Sequence, residues 1–206
     1  MKDEVLDLTI VVPVYNPDEK LQKMVKGFRE RGFHDIIVVN DGSDEEYMKL
    51  FTQIEGDSTV IHCRKNREKG RAMKIAFAFC KENRKKSQGV IIIDSTNQHH
   101  PDDVYACGKA LLENHGHLIL GCRNFHDGKI SFKTKFGNGI IKGVFRVFCG
   151  IKVSDTQAGL RAISMSLLPK IMELKGEHYE YDKNMLLEAK LLELPITEVP
   201  IRTLSA

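Results

Sequence analysis

Asp94 closes a run of four branched apolar residues, Val90-Ile91-Ile92-Ile93, and opens a polar stretch, Ser95-Thr96-Asn97-Gln98-His99. Such a run reads as a buried strand. A carboxylate just past the carboxyl end of a strand in an open parallel sheet stands where ligands bind. There it can hold a metal ion, hold a phosphate-bearing ligand or take part in a proton transfer. The plainer alternative is an Asp that caps the next helix, since Pro101-Asp102-Asp103 reads as a helix start. Four further apolar runs end in polar residues of the same kind: Tyr15-Asn16, Asp41-Gly42-Ser43, Asn66 and Arg123.

The elements that would position these residues alternate along the chain. Strand-like runs cover residues 8–14, 36–39, 59–63, 90–93, 118–121 and 196–201. Helical spacing covers residues 18–31, 45–54, 70–86, 102–115 and 181–192. In the first helix Leu21, Met24, Val25 and Phe28 share a face, and in residues 70–86 Ala72, Ile75, Ala76 and Phe79 point inward. Strands separated by helices imply right-handed βαβ units and a mostly parallel sheet. The five polar strand ends then fall on one edge and build one site. The expectation is a single α/β domain, residues 1–206. Residues 124–135 read as a mobile polar loop, and residues 155–162 (Asp-Thr-Gln-Ala-Gly-Leu-Arg-Ala) as a compact polar motif.

Charged residues are 29% and hydrophobic residues 42% of the 206, and the net charge is +3. That charge gives no argument for nucleic acid as a partner. Two local basic clusters, Arg64 to Arg71 and Lys129 to Lys152, suit phosphates or an anionic membrane surface, and solvated helix faces explain them equally well. Five widely spaced cysteines without a CxxC pair read as reduced thiols of a cytosolic protein. The charged start Met1-Lys2-Asp3-Glu4 carries no signal-peptide pattern, and no apolar run approaches the ~20 residues of a spanning helix. The expectation is a soluble cytoplasmic protein, with a peripheral position on the membrane face or a membrane-protein partner. Residues 139–153 mix Ile140, Ile141, Val144, Phe145, Val147 and Phe148 with Lys142, Arg146 and Lys152. They read as an interfacial helix or as a core helix with snorkelling cations. No Gly-x-Gly-x-x-Gly follows the first strand, which argues against a dinucleotide fold.

Several segments together match one family. They are Val12-Pro13-Val14-Tyr15-Asn16, Val39-Asn40-Asp41-Gly42-Ser43, Asn66 with Lys69-Gly70 and Ala72, and Asp94 with Gln98-His99 and Pro101. Gly121-Cys122-Arg123 and Asp155 to Arg161 complete the set. On these the chain resembles the family-2 glycosyltransferases of GT-A fold, in particular the polyprenyl-phosphate, dolichyl-phosphate mannose synthase-like branch. The resemblance implies an inverting enzyme that moves a sugar from a UDP- or GDP-sugar to a polyprenyl phosphate or related acceptor. It places Pro13, Tyr15 and Asn16 along the nucleotide, Asp41 on the base, and Lys69-Gly70 near the nucleotide or its phosphates. Arg123 is the first candidate for the acceptor phosphate, with Lys133, Lys135 and Arg161 after it. Arg161 could instead form an ion pair with Asp155.

The resemblance also implies Mg²⁺ or Mn²⁺ on an Asp-x-Asp motif. Asp94 and Gln98 match, but Thr96 stands where the second Asp belongs, and a hydroxyl is a weaker ligand for a hard cation. Three explanations compete: a weakened metal site, a catalytically weak or silent nucleotide-sugar-binding module, and basic residues that replace part of the metal's role. His99 and His100 read as second-sphere or capping groups. The acceptor needs no strong base, because a phosphate monoester is already ionised near neutral pH, its second pKa being ~6.

Overall fold

The computed structural model describes residues 6–94, 99–124, 139, 141–143, 145–147, 149–176, 178 and 180–202. Strands β1 (Leu8–Val14), β2 (Asp35–Asn40), β3 (Thr59–His62), β4 (Gly89–Ile92), β5 (Leu118–Arg123), β6 (Leu160–Ser164) and β7 (Ile196–Ile201) form one sheet. Its order is β3-β2-β1-β4-β6-β5-β7. Every pairing is parallel except those of β6, which runs antiparallel to both β4 and β5. Helices α1 (Lys20–Glu30), α2 (Met48–Thr52), α3 (Lys69–Asn83), α4 (Pro101–Glu113), α5 (Leu168–Met172) and α6 (Glu180–Leu191) cover its faces.

The period of two along the strands divides the core. Val11, Ile37, Val39, Val90 and Ile92 face one layer, with α3, α5 and α6. Ile10, Val12, Ile36, Val38, Ile91 and Ile93 face the other, with α1 and α4. Strands covered on both faces become continuous apolar runs, which is why Leu8–Val14 is buried throughout. Leu21, Met24, Val25 and Phe28 are the buried face of α1, as their spacing requires. Fully burying a side chain such as Phe28 contributes roughly 1.5–3 kcal/mol.

Two sequence expectations are corrected here. The buried face of α3 is Ala72, Met73, Ala76, Phe77 and Cys80, with Ile75 and Phe79 only half-buried. Both stripes satisfy helical spacing, and the sheet selects the one rotated by a single residue. The polar motif of residues 155–162 runs into β6, a strand placed between β4 and β5 that the alternating β-α pattern did not demand. The expected loop at residues 124–135 lies outside the described residues apart from Asn124. Of residues 139–147, Phe145 is buried and Ile141 packs on the core, while Lys142, Arg146 and Val147 are exposed. Cys80, Cys107 and Cys122 are buried, and burial pushes each thiol up to about 12, so none is a poised nucleophile.

Candidate active site at the carboxyl edge of the sheet

A cleft of about 460 Å³ lies over the carboxyl ends of the parallel strands. The end of β1 lends it Pro13, Val14 and Tyr15, the end of β2 lends Asp41, and the entry to α3 lends Asn66, Glu68 and Lys69. Asp94 follows β4, Thr156 and Gln157 precede β6, and Asp182 and Lys183 open α6. Tyr15 is an aromatic ring 47% exposed. An exposed ring beside a cleft offers a stacking face for a planar ligand.

Asp41 is buried at one end of this cleft, and its Oδ1 accepts a hydrogen bond from the Arg67 backbone N–H at 3.0 Å. Burial raises its carboxyl above the ordinary range, and the backbone N–H groups of Arg67 and Glu68 oppose that shift. Gly42 follows at a φ of 72°, and a Cβ there would lie 2.3 Å from the Lys65 backbone. Only glycine allows the two loops this approach. Asn16 braces the same corner rather than lining the cleft. Its N–H donates to Ser43 Oγ at 2.9 Å, its side-chain amide donates to Asp44 Oδ2 at 2.9 Å, and its side-chain carbonyl accepts from the Asp44 N–H at 3.0 Å. Gly70 is buried in the first turn of α3 and also does not line the cleft.

At the other end, the Lys69 ammonium lies 2.6 Å from Asp94 Oδ1 and 2.5 Å from Asp182 Oδ2. Burial opposes its charge, but Asp94 and Asp182 outweigh burial and raise its pKa. Asp94 therefore does not cap α4. His100 does, its Nδ1 accepting from the Asp102 N–H at 3.2 Å. Burial lowers the pKa of His99, which favours its neutral imidazole. The β4–β6 register pairs Ile92 with Arg161, which brings Gly159 beside Asp94. A Cβ on Gly159 would meet Asp94 Oδ2 at 1.9 Å.

The two arginines of the acceptor expectation are already engaged by protein groups. Arg123 grips Asp155 with two bonds, Nε to Oδ2 at 2.7 Å and Nη2 to Oδ1 at 3.0 Å, and this pairing is the first cause of its raised pKa. The carboxylate of Asp155 is fully shielded and also accepts from the Gln157 N–H at 3.0 Å. The expected Arg161–Asp155 ion pair is thus corrected to Arg123–Asp155. Arg161 is fully buried, its Nε donating to the Ala158 carbonyl at 3.0 Å and its Nη1 to the Asp182 carbonyl. A guanidinium sealed in the core cannot meet an acceptor phosphate, so Arg161 is a positioning residue. Thr96, Gln98, Lys133 and Lys135 lie outside the described residues.

Known proteins carry the same pattern. The family model for glycosyl transferase family 2 matches residues 9–172. The chain belongs to glycosyl transferase family 2. A protein of Methanocaldococcus jannaschii is 30% identical over 98% of this chain and 82% of its own length. The UDP-N-acetylglucosamine–dolichyl-phosphate N-acetylglucosaminyltransferase of Methanococcus voltae is 27% identical over 95% of this chain and 84% of its own. The fold is shared with the glucosyl-3-phosphoglycerate synthase of Mycobacterium tuberculosis solved in complex with UDP. That likeness has a TM-score of 0.73 at 16% identity, over 97% of this chain and 71% of the other. The architecture is the GT-A fold of this glycosyltransferase family.

Within this family-2 cleft, Asp182, Lys183 and Glu68 are residues that the sequence does not announce, while Thr156 and Gln157 belong to the polar motif of residues 155–162. Asp182 sits in the first turn of a helix, where an acidic residue reads as dipole compensation. Nothing in its local sequence announces an ion pair with a residue 113 positions away. Glu68 was hidden in a basic run, although its φ of 70° and ψ of 163° set it apart from its neighbours.

Proposed function

We propose that the chain is an inverting glycosyltransferase that moves a sugar from a UDP-sugar, or a GDP-sugar, to a polyprenyl phosphate or related phosphate acceptor. In this reading residues 1–206 form one catalytic domain. The observation that carries it is a single cleft with an aromatic face and a carboxylate, Tyr15 and Asp41, at one end and the Lys69–Asp94–Asp182 cluster at the other. This polarity suits a nucleotide at the first end and its diphosphate at the second. The Methanococcus voltae relative, whose name pairs a UDP-sugar with dolichyl phosphate, supports the choice of donor and acceptor.

Each residue then has a task. Tyr15 stacks with the base and Pro13 borders it. A carboxylate has about four acceptor positions. Asp41 gives two to the Arg67 and Glu68 amides and keeps capacity for a base imino N–H. Lys69, Lys183 and the first turn of α3 face the diphosphate, a position where positive charge stabilises the departing group. An oxygen of the acceptor phosphate attacks the anomeric carbon, the carbon–oxygen bond to the diphosphate breaks, and its electron pair leaves with the nucleotide. No proton need move, and one in-line displacement inverts the centre. Arg123, fixed on Asp155 with its side chain 25% exposed, is the cation we assign to the acceptor phosphate.

The carboxylates of Asp94 and Asp182 flank a buried cation, an oxygen donor set that suits a hard divalent ion. Asp94, with Gln98, would hold Mg²⁺ or Mn²⁺. When bound, such an ion acts as a Lewis acid on the leaving diphosphate. Among the described residues no helix is long and apolar enough to cross a membrane. Lys142, Arg146 and Val147, exposed on the helical residues 141–143 and 145–147, are the groups we assign to contact with an anionic membrane surface.

The test is a transfer assay with UDP-glucose, UDP-N-acetylglucosamine and GDP-mannose against a short-chain polyprenyl phosphate and Mn²⁺, with products identified by mass and UDP binding followed by calorimetry. Formation of a glycosyl phosphoprenol is expected. Nucleotide binding without product from any donor would favour the silent binding module, and no nucleotide binding at all would overturn both readings.

A further inference from the structure

The cluster around Lys69 is built more like a closed cation site than like a simple phosphate hook. Its ammonium touches both Asp94 and Asp182, and its side chain is only 10% exposed. Both carboxylates touch the same nitrogen, at 2.6 and 2.5 Å, so the two contacting oxygens lie within about 5 Å of one another. The second oxygen of Asp182, Oδ1, is shielded from solvent and has no hydrogen-bond partner among the described residues. A buried acceptor without a donor is an incomplete arrangement.

The supports of the three side chains differ. Gly159 packs against Asp94 so closely that a Cβ there would have to push the carboxylate aside. Asp182 is held through its backbone carbonyl by the buried Arg161. Lys69 reaches in on a flexible four-carbon stem from the first residue of α3. The carboxylates are therefore fixed and the cation between them is the movable part.

We propose that Asp94 and Asp182 together form a divalent-cation site, that Asp182 supplies the carboxylate absent at Thr96, and that Lys69 closes this site in the metal-free protein as a displaceable placeholder. The proposal rests on the reading of the cleft as a nucleotide-sugar site. Hard cations such as Mg²⁺ and Mn²⁺ take carboxylate oxygens and complete their shell with water and substrate phosphate. Lys69 and the metal then compete for the same oxygens. With those oxygens occupied, the Lys69 ammonium would be free to face the diphosphate, which brings its own negative charge.

The competition has an unusual sign. Removing a cation that does not sit on the metal-binding oxygens would leave metal affinity nearly unchanged. Removing a placeholder raises it, and the double variant asks whether the gain needs Asp182. Mn²⁺ binding to nucleotide-free protein is to be measured by electron paramagnetic resonance on the wild type, Lys69→Met, and Lys69→Met combined with Asp182→Asn, with circular dichroism confirming the fold of each. Lys69→Met is expected to bind Mn²⁺ at least ten-fold more tightly than wild type, and adding Asp182→Asn is expected to remove that gain. A Lys69→Met protein that folds but binds Mn²⁺ no more tightly overturns the proposal, and so does a gain that survives Asp182→Asn. UDP titrations of the wild type with EDTA and with Mn²⁺ separate the two levels. If UDP binds while Lys69→Met shows no gain, this proposal alone fails; if UDP binds under neither condition, the donor reading fails with it.

Discussion

On one side of β4, the strands β1, β2 and β3 run parallel to it, and each delivers its cleft residues by the segment that follows it: Tyr15, Asp41 and Lys69. On the other side β6 runs antiparallel, and its share, Thr156, Gln157 and Gly159, comes from the segment that precedes it. The cations differ in the same way. Lys69 lines the cleft, whereas Arg123 and Arg161 lie outside its lining, held by Asp155 and by the Ala158 and Asp182 carbonyls. The first flank supplies groups that can face a ligand. The second supplies the rigid frame against which those groups are set.

The sharpest way to break this contrast is at Gly159. The atom that a new Cβ would strike is the far end of the Asp94 side chain, not backbone, so Gly159→Ala should displace the carboxylate and leave the fold standing. A misplacement of about 1 Å at a reacting centre can cost about 10²-fold. The expected outcome is a fall in kcat/KM for sugar transfer of that order, with an unchanged circular dichroism spectrum. A variant as active as wild type would mean that β6 does not set the position of Asp94.

Arg161 tests the frame itself. Arg161→Met preserves most of the volume but leaves the Ala158 and Asp182 carbonyls without their buried donor. Unsatisfied buried acceptors cost about 1–3 kcal/mol each, so a loss of about 2–4 kcal/mol is expected. For a chain of this length that lowers Tm by about 5–15 °C, at about 2–4 °C per kcal/mol. Calorimetry reads it directly, and a Tm within 1–2 °C (about 0.5 kcal/mol by the same conversion) would return Arg161 to the ligand side of the comparison.

Much of the first flank was legible in the sequence, and less of the second, for a physical reason. Parallel βαβ units write themselves as apolar runs that stop in polar residues, so Pro13, Tyr15, Asp41 and Asp94 could be placed from the strand ends alone. An antiparallel insertion carries no such signature. The strand β6 begins at Leu160, beside Gly159, and includes a buried Arg, so its sequence looks like a polar motif. The partners of Arg123 and Arg161 and the role of Asp182 depend on contacts between segments far apart in the chain, which no local pattern encodes. For α3 the spacing gave the right element and a face rotated by one residue, because two adjacent apolar stripes satisfy the same period.

Asp41 belongs to the legible flank, and Asp41→Asn asks whether its charge serves a ligand or the fold. Asparagine keeps an acceptor oxygen for the Arg67 amide. A hydrogen bond to a charged group is worth about 1.5–3 kcal/mol, so UDP affinity should fall by roughly 10- to 150-fold, as read by calorimetry. Stability should move in a set direction. Burial holds the Asp41 carboxyl above the ordinary carboxylate value of 3.8, so as pH falls through that window the folded protein takes up the proton before the unfolded chain does. This group's contribution to stability therefore rises as the pH drops toward that value, and Asp41→Asn should remove that rise. A variant with wild-type UDP affinity would leave Asp41 as a loop brace only.

The smallest effect is expected at Glu68, where the two flanks solve the same problem differently. The second flank makes its close approach with a glycine, Gly159. The first places a glutamate at a φ of 70° and ψ of 163°, a region that is essentially glycine's own and costs other residues about 1–3 kcal/mol. Its visible compensation is slight: the Glu68 carboxylate lies 3.9 Å from His178 in a pair that is open to solvent on both sides, where such pairs are worth ~0–1 kcal/mol. Glu68→Gly relieves the strain but frees the unfolded chain, which takes back about 0.5–1 kcal/mol. A net gain of about 1 kcal/mol, or about 2–4 °C in Tm, is expected. Because Glu68 lines the cleft between Asp41 and Lys69 in sequence, UDP affinity should be followed in the same variant. A rise in Tm with weaker UDP binding would identify the strain as serving the ligand, and a fall in Tm would show that the contacts of Glu68 outweigh its backbone.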